Sequence, residues 1–442
     1  MKNVKLIKVW DALHTSYWFL PGILAISSII LAVVTLTLDH IIDFNDWDWL
    51  YAGGPEGSRA VLSAIASSMI SVTATSFSIT IVAMQLASST FGPRLLRNFM
   101  KDTGNQIVLG VFIGTFIYSL LVLRAIYNED FDLFVPHLSV TVGLALAILS
   151  IGVLIYFIHH ASTIIQVSHV LQSVSDDLDK AIERLFPEKI GVNPQVNQPY
   201  REDVPPDFSL QAYPIKNNKN GYLQAINDEK LMEIARQYDL LVHVKFRPGN
   251  FVVKGSELVM VWPGVRVNNK LKQQLQQIFI IGKERTEQQD IEFPIQQLVE
   301  IALRAISPGI NDPFTAIRCI DRLSAGLCYL VQRQFPSPYR YDYDNQLRVM
   351  VPSLDFEGIV DQAFNQIRQY SNSDAAVTIR LLEAIALVAT HTKNPHHREV
   401  LRRHADMIER GSHEGLPESQ DRKDVYRKYD DVIQSLAANY EM

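Results

Sequence analysis

Four apolar stretches crowd the first 165 residues, and each is long enough to cross a bilayer. A hydrocarbon core ~30 Å thick takes about 20 apolar residues of helix to span. The stretches Tyr17–Leu38, Ala60–Leu86, Ile107–Tyr127 and Leu138–Ile158 meet that requirement. The rest of the 442 residues has the composition of a soluble protein, so the hydrophobic share of 48% averages two unlike parts. High apolar content with ordinary Gly (21) and Pro (20) excludes a disordered or collagen-like chain. Only two cysteines, Cys319 and Cys328, exclude a disulfide-stapled secreted domain. A net charge of −6 lacks the basic footprint of a dedicated nucleic-acid binder. Lys2, Lys5 and Lys8 before the first stretch imitate a signal peptide. That stretch is too long and has no small-residue cleavage pattern, so it reads as a retained anchor.

Short loops rich in Lys and Arg stay on the cytoplasmic side of a membrane. The N-terminus has its three lysines, and the second connection has Arg94, Arg97 and Lys101. The first connection carries Asp39, Asp43, Asp46, Asp48 and Glu56, and the third carries Glu129, Asp130 and Asp132. This asymmetry predicts both termini inside. Trp10, Trp18, Trp47 and Trp49 fall at the expected interfaces. The acidic residues of the outer connections would gather cations at an outer mouth. They would equally be the solvated outer face that the topology rule produces.

The second stretch is unlike the others. Ser63, Ser67, Ser71, Thr75, Ser78 and Gln85 fall on one helical stripe, interrupted by Val82. Two interpretations compete. Small hydroxylated residues let membrane helices pack closely, and their hydroxyls can bond back to the preceding turn. Alternatively the stripe lines a water-filled pathway, with Val82 as an apolar constriction. No charge lies between Arg59 and Arg94, which argues against an ion-coupled pump relying on intramembrane carboxylates.

Beyond residue 165 the sequence predicts a cytoplasmic α+β part. Residues 166–203 read as a stalk helix with apolar Val170, Leu171, Val174, Leu178 and Ile182, then a linker containing Pro187, Pro194, Pro199, Pro205 and Pro206. Residues 204–266 read as a small β module. Leu240–Val244, Phe251–Val253 and Leu258–Trp262 are short β-rich runs separated by turn residues. The runs resemble half of a barrel-sandwich module of the lipoyl and biotinyl type, without its modified lysine in a Met-Lys-Met setting. Residues 267–410 read as helical, and 411–442 as a charged tail ending in a loosely attached helix.

Within the helical part, Ser307-Pro308-Gly309-Ile310-Asn311-Asp312-Pro313 interrupts two amphipathic runs. It is either a specialised helix-turn-helix corner with Asp312 or Asn311 capping the next helix, or a polar site. Such a site would be formed by Ser307, Asn311, Asp312, Thr315 and Arg318, with helix N-terminal amides holding an anion. This segment, the four spans and the stretch Gln85–Phe99 with its basic turn resemble an uncharacterised bacterial family of predicted four-span membrane proteins. The likeness covers nearly the whole chain and implies a bacterial inner-membrane location. It implies no activity.

The remaining clusters are bland. His391, His396, His397 and His404 offer no compact ligand pair at i, i+3 or i, i+4, so no metal is expected. Cys319 and Cys328 fall on opposite faces of one helix and read as core thiols. No P-loop, dinucleotide fingerprint, zincin pair or nucleophile elbow is present, so neither a cofactor nor an enzyme is expected. The expectation is a homo-oligomer in the lipid bilayer whose second spans surround a passive, cation-preferring pathway. The rival is a membrane-anchored sensor or scaffold using the Ser307–Thr315 turn.

Overall fold

The computed structural model describes residues 16–42, 53–93, 99–100, 102–129, 132–164, 166–186, 204–352 and 354–438. Outside them lie Asp43, Asp46, Asp48 and Asp130 of the expected outer mouth, Trp10, Trp47, Trp49, Arg94, Arg97 and Lys101, and the linker prolines Pro187, Pro194 and Pro199. The chain divides into two compact units, residues 2–170 and 171–442.

The first unit contains the four expected apolar helices: α1 (Phe19–Ile41), α2 (Pro55–Phe91), α3 (Thr103–Ala125) and α4 (His137–Ile164). At 1.5 Å per residue α2 is about 55 Å long, well beyond the hydrocarbon thickness, so it tilts or projects from the bilayer. Helix α3 is the hub and packs against the other three. Its apolar window is 56% buried, against 17–28% in the others.

Two glycines allow the closest approach. Gly110 and Gly114, spaced i, i+4, form a small-residue face on α3. A Cβ at Gly110 would overlap Leu24 of α1, and one at Gly114 would overlap the Ser28 hydroxyl. The double substitution Gly110→Ile, Gly114→Ile is expected to push α1 off α3. The loss should be about 1–3 kcal/mol per overpacked site, read as a lower Tm in detergent micelles. Gly152→Ala, at a site with no neighbour within 4 Å, should leave Tm unchanged. Farther along the bundle, the fully buried Tyr118 hydroxyl shares a hydrogen bond with Thr35 Oγ1 (3.0 Å) and donates to the Ser139 carbonyl (3.0 Å), tying α1, α3 and α4 together. A hairpin of β1 (Tyr127–Glu129) and β2 (Asp132–Phe134) joins α3 to α4, with Glu129 opposite Asp132.

The second unit is α+β. Helix α5 (Val167–Leu185) runs into it, and Val174, Leu178 and Ile182 are buried as the spacing predicts. Eight further strands follow: β3 (Tyr213–Lys216), β4 (Gly221–Ile226), β5 (Leu241–Val244), β6 (Phe251–Val252), β7 (Glu257–Trp262), β8 (Phe279–Gly282), β9 (Tyr339–Tyr341) and β10 (Leu347–Met350). They form a five-stranded sheet ordered β3-β7-β5-β10-β9 and a three-stranded sheet ordered β6-β4-β8. Only the β5–β10 pair is parallel. Helices α6 (Phe208–Gln211), α7 (Asp228–Gln237) and α8 (Asn269–Gln276) are interspersed. Asn227 and Asn268 start the latter two by accepting from the backbone N–H groups of Lys230 and Leu271. Val242, Val259, Val261 and Ile281 of the sheets share one core with Leu231, Ile234, Leu271 and Leu275 of these helices.

The strand-bearing region therefore does not end at residue 266. Strand β10 is a four-residue run that gains strand character only from its pairing with β5, far earlier in the chain, and so short a run has no period of its own. The helical layer comprises α9 (Glu292–Ala305), α10 (Pro313–Leu330), α11 (Phe356–Tyr370), α12 (Ala375–Thr390), α13 (Pro395–Gly415) and α14 (Ser419–Ala438). Asp312, Asp355, Asp374 and Asn394 cap four of them. The expected loose tail is also corrected. Helix α14 packs on α12 and α13, burying Val425, Val432 and Leu436, and the Leu436 carbonyl accepts from buried Arg398 (3.1 Å). That apolar stripe, at i, i+7 and i+11, is hidden among charges in the sequence.

Candidate functional site

The face that α2 turns toward its neighbours is apolar. Leu62 joins the cluster of Tyr118 and Val140, and Ile65 and Met69 join that of Val108, Phe112 and Phe157. The stripe lies on the other side. Ser63, Ser67, Ser71, Thr75, Ser78, Val82 and Gln85 are all exposed on the surface of the four-helix unit, Val82 at 55%. The hydroxyls are therefore not spent on packing within that unit. Ser71 donates to the Ser67 carbonyl (2.9 Å) and Thr75 to the Ser71 carbonyl (3.0 Å). Back-bonded in this way they present a small, dipolar surface without a naked donor.

Of the outer-mouth carboxylates, Asp39 has a different role. Its carboxylate accepts from the backbone N–H groups of Leu138 (2.9 Å) and Ser139 (2.9 Å) and from the Ser139 hydroxyl (2.6 Å). Helix α4 is preceded by Val135-Pro136, neither of which can cap it, so α1 supplies the cap from a distance. Its charge is committed to the amides and dipole of α4. Glu129 and Asp132 are the facing positions of the β1–β2 hairpin.

Sequence reasoning missed the pair Asp102 and His160. Asp102 caps α3 by accepting from the Asn105 N–H (2.9 Å), and the same oxygen meets His160 Nε2 of α4 (2.8 Å). An Asp just before the third apolar run was the available signal.

In the second unit the Ser307–Pro313 corner closes on itself. The Ser307 hydroxyl donates to the Arg304 carbonyl (2.6 Å), and the Ser307 carbonyl accepts from the Ile310 and Asn311 N–H groups (3.0 and 2.9 Å). Asn311 sits at φ +52°, a left-handed turn conformation that Asn tolerates. Asp312 accepts from the Thr315 N–H (3.1 Å) and hydroxyl (2.5 Å), so its own carboxylate stands where an external anion would meet α10. Asn311 and Arg318 are exposed, as are Ile310 (47%) and Phe314 (75%).

The histidines and cysteines are built into the core. His397 is buried against Phe356 and shares a hydrogen bond with Thr392 Oγ1 (3.1 Å), and His404 is fully enclosed with Nε2 on Asp361 (2.8 Å). Burial lowers the affinity of both rings for a proton. Burial likewise pushes the Cys328 thiol up to about 11 and raises Cys319 further, the opposite of an activated nucleophile. A second feature invisible in the sequence is an ion cluster at the start of α9. Arg285 holds Asp290 through two bonds (2.8 and 2.9 Å), while Arg247 pairs with Glu292. Burial lifts the Asp290 carboxyl to about 6 in spite of the Arg285 guanidinium beside it.

Four apolar helices followed by an α+β unit define a multi-span membrane protein. The chain belongs to the family described as "Predicted membrane protein (DUF2254)", whose pattern matches residues 14–387. Uncharacterized proteins of Mycobacterium bovis and Mycobacterium tuberculosis are each 32% identical to it over 424 residues, covering 94% of this chain and 79% of theirs. No solved structure matches the chain.

Proposed function

We propose that the protein is a homo-oligomeric, passive pathway for ions, cations preferred, lined by α2 and assembled or gated by the second unit. Both termini lie in the cytoplasm and the membrane is the bacterial inner membrane, in keeping with the basic and acidic loops. The observation that carries this reading is the exposure of the whole Ser63–Gln85 stripe on the surface of the four-helix unit. A hydroxylated, amide-bearing stripe is poorly matched to lipid tails, whereas a second copy or a shared lumen suits it. One such helix encloses water only when several copies surround it. No catalytic step, cofactor or metal belongs to this mechanism. The capping role of Asp39 leaves cation enrichment at the outer mouth to the remaining acids of that side.

Cysteine cross-linking tests the assembly. The native thiols are buried. Ser71→Cys is expected to give an oxidised dimer in native membranes, while Ile148→Cys, on the exposed side of α4 at 63%, should stay monomeric. Equal cross-linking at the two positions overturns the arrangement.

A second reading has its own observation. Ile310 and Phe314 project from a corner whose polar groups are internally satisfied. A membrane-anchored scaffold would present those two side chains to a protein partner. Ile310→Ser with Phe314→Ser should then abolish partner capture and leave ion flux untouched.

A further inference from the structure

Among the described residues, buried side-chain polar atoms without a hydrogen-bond partner are few, and they are not scattered. Seven such atoms occur, and four belong to α11, its C-cap and the facing α13: Arg368 Nε, Ser371 Oγ, Arg403 Nε and His404 Nδ1. A buried unpaired polar group costs about 1–3 kcal/mol, so four in one seam call for a physical reason. Arg403 and His404 are already committed to Asp361 (2.5 and 2.8 Å), and Arg403 also to Glu357. Arg368, two turns beyond Asp361 on the same face of α11, is half-buried beside Arg410 of α13. Burial first, and the like charge of Arg410 second, depress the pKa of the Arg368 guanidinium, with Asp361 opposing them. Two cations thus face each other across a helix seam without a carboxylate of their own, and the Ser371 hydroxyl follows one turn along.

We propose that the α11–α13 seam is an anion site for a phosphoryl group, held by Arg368 and Arg410 with the Ser371 hydroxyl as an additional donor. A guanidinium pair matches tetrahedral phosphate oxygens through paired N–H donors, and a bound anion relieves the repulsion between the two cations. The proposal is independent of the pore reading, since the seam lies wholly within the second unit. Its phosphoryl group can come from a soluble anion or from a lipid headgroup.

The test uses the full chain in detergent micelles, with inorganic phosphate titrated against chloride at constant ionic strength. Phosphate should raise Tm, as a ligand specific to the folded state must. Arg368→Gln and Arg410→Gln should each weaken the apparent phosphate affinity by on the order of tenfold or more, and Arg368→Lys by less. In the absence of phosphate, Arg368→Gln should be at least as stable as the parent because the like-charge contact is gone. That property separates a lost site from a damaged fold. Equal effects of phosphate and chloride on the parent overturn the proposal, as does an undiminished phosphate response in both Gln variants. In nanodiscs, a phosphate response that persists with phosphatidylglycerol assigns the site to a soluble anion. A response seen with phosphatidylcholine but lost with phosphatidylglycerol assigns it to the headgroup.

Discussion

Replacing Ser71, Thr75 and Ser78 together by Leu should reduce cation flux in reconstituted vesicles to the level of protein-free lipid. The three positions share the exposed stripe of α2 and face no other helix of the same unit. Larger apolar side chains there leave the intrasubunit cores around Leu62, Ile65 and Met69 intact, so the fold should survive. What changes is the wall. A lumen lined with leucine dewets, and an apolar constriction a few ångströms wide stops ions without needing to be sealed. Leu for Ile148, on the exposed face of α4, is the matched control and should leave flux unchanged. Flux that survives the triple substitution, or none in the parent, would end the conduit reading and leave the anchored scaffold.

The second large effect concerns Asp39. Asp39→Ala removes three hydrogen bonds to the first turn of α4 at once. The loss should be about 2 kcal/mol, in the upper part of the range for a helix cap, because the acceptor is charged and no residue before α4 can replace it. A lower Tm in micelles and faster proteolysis at the α4 N-terminus are the measurements. Asp39→Asn keeps one acceptor oxygen and should recover roughly half the loss. If Asp39 were only a free mouth charge, both variants would retain parental stability and lose cation preference instead.

Length and hydropathy were enough to place all four spans within a few residues. The same holds for α5, whose buried Val174, Leu178 and Ile182 follow a clear helical period. Such elements are legible because one periodic face, repeated over many residues, encodes them. Strands β8, β9 and β10 were not, since each is three or four residues long and becomes a strand only through a partner distant in the chain. Helix α14 hid its Val425, Val432 and Leu436 stripe among acids and bases.

At the candidate sites the division is sharper. The sequence alone determined that α2 carries a hydroxyl stripe and that Ser307–Pro313 breaks two helices. Only the tertiary structure decided that the stripe faces outward, that Asp39 serves α4, and that Arg368 meets Arg410 across a seam. The physical reason is range. Periodicity and capping signals act over a few residues along one helix, whereas the direction a face turns depends on which distant surfaces compete to bury it.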